Sequence, residues 1–187
     1  MYVEMWDASL NALKSGQSVQ VANSVAAKWQ FLACAVLTSF SLEAYLNHIG
    51  ALLLKCWISD LEKLPPAGKM ALIWEKLEIQ PGSDAGSRPI QTILNLIRFR
   101  NTMAHGKTEQ LKPKDQLIDV NDSFYSLIVE PILSDWEILV KNENFCIQAR
   151  EDVQSVLKQI HAVQAVDSSA LFTPGRRQGT GRKLSAP

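Results

Sequence analysis

Between Val19 and Trp57 the chain has no proline and a single glycine, Gly50. Within that span, Phe31-Leu-Ala-Cys-Ala-Val-Leu-Thr-Ser-Phe-Ser-Leu42 is apolar on nearly every side of a helix. This composition favours one long helix, with Gly50 the place where it could bend. Thirty residues of it would reach about 45 Å. A helix on the surface of a monomer carries one apolar stripe about 100° wide, so this helix is expected at the centre of the fold or in a subunit interface. Its longest run free of ionisable residues is the fourteen from Trp29 to Leu42, after which Glu43, Asn47 and His48 intervene. A bilayer span needs about 20 apolar residues. The reading is therefore a buried core helix, with no membrane as partner.

Around this helix the pattern is helical throughout. Tyr2, Met5, Trp6, Leu10 and Leu13 mark a short amphipathic helix ending near Ser15-Gly16. After the break at Leu64-Pro-Pro, the positions Met70, Ile73, Trp74 and Leu77 predict a helix stopped by Gln80-Pro-Gly, with Pro81 to Gly86 a loop. Pro89 stands at the start of another, whose core face is Ile93, Leu94, Ile97 and Ala104 and which ends at His105-Gly106. Phe124, Leu127, Ile128, Ile132, Leu133, Trp136 and Leu139 or Val140 predict a further helix, kinked at Pro131. Asn144 is placed to cap the last one, with Cys146 or Ile147, Val153, Val156, Leu157 and Ile160 on its apolar side. No segment shows the period-2 alternation of a strand. The fold class is all-α, with residues 1–170 as one bundle and 171–187 as a glycine-rich, basic tail expected to be disordered when unbound.

Charge and cysteine usage narrow the function classes. Nineteen basic residues balance nineteen acidic ones, which excludes a uniformly basic nucleic-acid binder and a disordered acidic chain. All nineteen acidic residues lie in 1–170 with fifteen of the basic ones, so that part carries −4, while Arg176, Arg177, Arg182 and Lys183 put +4 on the last seventeen residues. Cys34, Cys56 and Cys146 are odd in number, far apart and set among apolar residues, which reads as buried thiols and not a zinc or redox site. The first residues have neither a positive nor an apolar signal region, and a cytoplasmic location is expected. Phosphate-loop, dinucleotide-fingerprint, nucleophile-elbow and zinc-helix motifs are missing, so the sequence calls for no cofactor and no metal.

What remains is Arg98-Phe-Arg-Asn-Thr-Met-Ala-His-Gly106, at the carboxyl end of an amphipathic helix. At about 100° per residue, Arg98, Asn101 and His105 share a stripe, whereas Arg100 lies about 140° from His105. Arg98 is thus the easier intrachain neighbour of the histidine. For Arg100 to work with a histidine, the last turn must loosen or a second copy of the helix must complete the site. Guanidinium gives phosphate two parallel hydrogen bonds and keeps its charge. With histidine to move protons, the pair suits metal-independent RNA cleavage. In that reaction the ribose 2′-oxygen attacks phosphorus and leaves a 2′,3′-cyclic phosphate and a 5′-hydroxyl. At a helix C-terminus His105 suits phosphate binding or acid catalysis as well as base catalysis. The bland alternative has His105 donating to helix-end carbonyls and Asn101 capping a neighbouring loop.

Arg100-Asn-x-x-x-His105-Gly resembles the Arg-x4-6-His motif of the HEPN superfamily, and Phe40-Ser-Leu-Glu-Ala-Tyr-Leu-Asn47 is similar to the first core helix of several bacterial HEPN families. The likeness covers roughly residues 20–165. It implies a four- to five-helix up-and-down bundle that homodimerises, bringing two Arg/His motifs together. It also implies an endoribonuclease of a toxin–antitoxin, phage-defence or related system, with RNA as substrate and a nucleotidyltransferase-like antitoxin as a further partner. Other members only bind nucleotides or partners, which is the alternative function. By this resemblance Arg100 and His105 are the catalytic pair and Asn101 orients them. Glu43 belongs to the stripe Ser39, Glu43, Asn47, where a buried carboxylate needs a partner. It could orient His105, bind Arg100 across the bundle, or form a structural ion pair. Arg98 is a basic auxiliary, and Trp29, Trp57, Trp74 and Trp136 read as core or interface residues.

If the tail's four basic residues each neutralise a phosphate, the slope of log affinity against log salt for single-stranded RNA includes about −3 from the tail, at about −0.7 per phosphate. Deleting the tail should leave the fold intact and flatten that slope by this amount. An unchanged slope would place RNA attraction in the bundle.

Overall fold

Asn23 decides where the long apolar segment begins. Its side chain accepts a hydrogen bond from the Ala26 backbone N–H at 2.9 Å and caps a helix over Ser24–Leu53, here α2, because α1 precedes it over Tyr2–Val19. The segment expected to be continuous from Val19 therefore turns back on itself at residues 20–23, and α1 packs along α2. The remaining helices are α3 (Pro66–Lys76), α4 (Ile90–His105), α5 (Asp135–Val140) and α6 (Asn144–Val163). The computed structural model describes residues 1–80, 86–106, 133–167 and 170–172. Among these there are six α-helices, one for each segment read from the apolar pattern and more than the four or five that the resemblance implies, and no strand. The fold is all-α.

α2 packs against every other helix. Phe31, Cys34, Ala35, Leu42, Tyr45, Leu46 and Ile49 along it are fully buried, which explains why its sequence shows no single apolar stripe. By length and composition it could also cross a membrane. Its buried contacts with five helices account for the same composition as a core helix does.

Two glycines that read as helix punctuation are packing positions. A Cβ on Gly16 would lie 2.5 Å from the Phe31 ring, so α1 runs on past it to Val19. A Cβ on Gly50 would lie 2.4 Å from the Trp57 ring, which is itself buried. The turn after α2 thus folds an indole flat onto the helix backbone.

α6 lies against α1, α2 and α4 mainly through its apolar stripe. Cys146, Val153, Val156, Leu157 and Ile160 are buried as expected. Its N-cap is Glu143 and not Asn144, which is the first helical residue. The Arg150 guanidinium is buried, donates to the Trp6 carbonyl at 2.8 Å and to the Ser9 hydroxyl, and sits 3.9 Å over the Trp6 ring. Phe172 stacks on that same indole at 4.5 Å, so removal of the basic tail alone must begin beyond Phe172. Residues 173–187, and with them the expected disordered tail, lie outside the described residues, as do most of the Pro81–Gly86 loop and the 124–132 part of the helix expected around Pro131. Of that helix, α5 is described, and its start is a capping box between Ser134 and Glu137. Glu137 also pairs with Lys28 of α2, and these bonds hold its carboxyl down at about 2. Cys34 and Cys146 are buried, but Cys56 is exposed in the turn after α2, contrary to the expectation of three buried thiols.

Gly50→Ala should lower the stability by about 1–3 kcal/mol in urea denaturation, the usual effect of overpacking, although alanine is the better helix former. A neutral or stabilising result would show that Trp57 is free to move away.

Candidate functional site: a carboxylate shared by two cations

Glu43 lies midway along α2, on the face turned towards α3 and α4. Its two carboxylate oxygens are divided between two cations on those helices. Oε1 accepts from Lys69 Nζ of α3 at 3.0 Å, and Oε2 accepts from Arg100 Nη2 of α4 at 2.8 Å. The Lys69 side chain is 2% exposed, that of Glu43 20% and that of Arg100 25%. Arg100 is held by two further contacts: its Nη1 donates to Asn101 Oδ1 at 3.0 Å, and its Cζ lies 5.6 Å from the centre of the Phe40 ring. The third nitrogen of the guanidinium, Nε, is buried and has no acceptor. One turn along α2 from Glu43, Asn47 Oδ1 is likewise buried without a donor.

The charge balance matters more than any one distance. Two cations face one carboxylate, so the cluster carries one surplus positive charge in a half-buried place. Desolvating ions costs several kcal/mol each unless partners replace the water. Glu43 offsets that cost for both cations, and each Nη of Arg100 keeps a second N–H beyond its bond to Asn101 or Glu43. Such a site suits an anion with several oxygens, a phosphate above all.

Of the residues picked from sequence, Glu43, Arg100 and Asn101 are brought together. Among the alternatives for Glu43, the structure shows the bond to Arg100 across the bundle. Asn101 Oδ1 accepts from Arg100. His105 is placed elsewhere: it is exposed at the end of α4, followed by Gly106 in the left-handed conformation (φ 53°). Among the described residues it makes no hydrogen bond, either to Arg98, to Arg100 or to the helix-end carbonyls. Arg98 is exposed and donates to Asn95 Oδ1 at 3.3 Å. The offset around α4 is thus realised, with Arg100 turned inward and His105 outward. Ala104, expected on the core face, is exposed, while Leu96 and Phe99 are buried.

Lys69 was missed by sequence reasoning, because a lysine in a short helix ordinarily faces water. A signal was present. Lys69 lies three residues after the buried Pro66 and four before the buried Ile73, on the inner stripe of α3. Among the described residues no group of three or more His, Cys, Asp or Glu is placed to hold a metal ion.

A second feature adjoins the cluster. Between α4 and α5 lies an open cleft of about 590 Å³, and Asn101 lines it as well as bonding Arg100. No family model, no curated protein and no solved structure matches this chain.

Glu43→Gln should cost about 3–5 kcal/mol in chemical denaturation, since it leaves Lys69 charged and buried without its anion. Glu43→Gln combined with Lys69→Met should recover part of that loss. A Glu43→Gln protein as stable as the wild type would mean that the carboxylate does not hold the two cations.

Proposed function

We propose that the chain is a metal-independent endoribonuclease of HEPN type, acting in the cytoplasm as a homodimer and serving as the toxin of a toxin–antitoxin or phage-defence module. The observation that carries the reading is the Arg100 guanidinium, fixed by Glu43, Asn101 and Phe40 beside Lys69, with one N–H of each Nη left over and one positive charge in surplus. In this reading Arg100 binds the scissile phosphate and stabilises the charge that builds up as the 2′-oxygen attacks. Glu43 and Asn101 are positioning residues that set the angle of the guanidinium. A base takes the 2′-hydroxyl proton, the 2′-oxygen forms its bond to phosphorus, and the 5′-oxygen leaves with a proton from an acid. His105 supplies one of these proton transfers.

Because His105 faces outward in its own chain, the histidine working with Arg100 is His105 of the partner subunit. The outer face of α2 supports such a pairing. Val25 and Trp29, one turn apart near the start of α2, are 63% and 55% exposed, a surface that a twofold partner would cover. A second reading, a catalytically silent nucleotide- or partner-binding module, is favoured by the outward His105 and by the net −4 of residues 1–170, which does not draw RNA from a distance.

The purified protein should cut RNA in the presence of EDTA and leave 2′,3′-cyclic phosphate ends. Arg100→Ala and His105→Ala should each slow cutting by a factor of about 10² or more, and light scattering should give twice the 20.8 kDa chain mass. Nucleotide binding without cleavage by a stable wild-type protein would favour the silent module. Cleavage that survives His105→Ala would remove the histidine from the mechanism.

A further inference from the structure

The cleft between α4 and α5 is lined on the α4 side by Asn95, Arg98, Asn101 and Thr102, and on the α5 side by Asp135, Trp136, Ile138 and Leu139. Asn95, Arg98 and Thr102 fall at i, i+3 and i+7, so one face of α4 presents them in a row. Its volume, about 590 Å³, is in the range that takes a nucleotide-sized ligand.

The hydrogen bonds already made inside this wall determine what it can still offer. Asn95 Oδ1 accepts from Arg98, and Asn101 Oδ1 accepts from Arg100. Both amide oxygens are engaged within the protein, which leaves two amide NH₂ groups and most of the Arg98 fork as donors. A donor-rich wall selects an acceptor-rich edge. Among the nucleobases, the O6/N7 edge of guanine presents two acceptors side by side and no donor, the pattern that arginine reads bidentately. The opposite wall supplies a half-buried indole, a surface on which a base packs well. The Lys28 ammonium lies 5.1 Å from the centre of that ring. The position of the cleft supplies the remaining argument. Asn101 lines the cleft and accepts from Arg100, which is not itself a lining residue, so the cleft and the Arg100 cluster adjoin through Asn101.

We propose that the α4–α5 cleft is a base-binding subsite, guanine being the preferred base, for the nucleotide whose phosphate Arg100 holds. The proposal rests on the reading of Arg100 as an RNA phosphate ligand and adds a base preference to it. Asn95 and Arg98 are then specificity-determining residues, and Trp136 is a stacking wall and not only a core residue.

The test uses the four nucleoside 3′-monophosphates, which bind but cannot be cleaved, titrated into the full chain with tryptophan fluorescence and calorimetry as readouts. Guanosine 3′-monophosphate should bind about ten times more tightly than cytidine 3′-monophosphate, and Arg98→Ala should abolish that difference, since one bidentate contact is worth roughly ten-fold or more. Arg98 is exposed, so the variant should fold, which circular dichroism checks. Trp136→Leu should weaken all four ligands together. Equal affinities in the wild type, or a preference that survives Arg98→Ala, would overturn the proposal, as would failure of every nucleotide to bind. Guanine-selective binding without RNA cleavage would sustain the subsite while the ribonuclease reading fails. Cleavage indifferent to base and to Arg98→Ala would do the reverse.

Discussion

The bond of Glu43 to two cations is the constraint around which this bundle is arranged. One carboxylate on α2 holds Lys69 of α3 and Arg100 of α4, and through them it fixes the rotation of both helices. Rotating α4 by a quarter turn would carry Arg100 away from Glu43 and leave the buried ammonium of Lys69 as the sole partner of the carboxylate. Apolar packing gives the helices their contacts, but it tolerates small rotations that a shared, half-buried carboxylate does not. The same bonds that fix α4 also fix the guanidinium in space, with Phe40 beneath it and Asn101 beside it. A rigid arginine with a spare donor is what anion chemistry needs. Structural and chemical roles are here one arrangement.

From this centre the two faces of α4 diverge. Inward lies the cluster, while the other side carries Arg98 and Asn95 along the cleft to Trp136. Asn101 belongs to both, as its oxygen is engaged by Arg100 while its NH₂ group remains for the cleft. A ligand spanning the two would be an anion joined to a flat, acceptor-rich ring. His105 stands apart from both, exposed at the end of the helix.

The bounds of α4 could be read from the sequence because both ends carry local chemistry: Pro89 at the start, and Gly106 in the left-handed region at the end, where other residues are strained. The polar stripe Ser39, Glu43, Asn47 was also legible, as an anomaly that an apolar helix keeps only for a partner. Other features depended on tertiary contacts that no local pattern reports. Gly16 and Gly50 carry the same letter as a helix terminus, yet each is small because an aromatic ring lies against the backbone. Lys69 reads as solvent-facing until Glu43 is known to sit opposite. The hairpin at residues 20–23 rested on a single asparagine cap, a signal too short to compete with the apolar run that follows.

The central claim is that Lys69 and Arg100 share Glu43 as a desolvated unit, and the ammonium group of Lys69 reports on it most directly. Heteronuclear NMR of the lysine side chains at neutral pH and 25 °C should show one ammonium signal in slow exchange with water, assigned to Lys69. It should disappear in Glu43→Gln while the other lysine signals stay as they were. If the Lys69 ammonium instead exchanges as fast as the surface lysines in the wild-type protein, the cluster is open to water. Glu43 would not then organise the site.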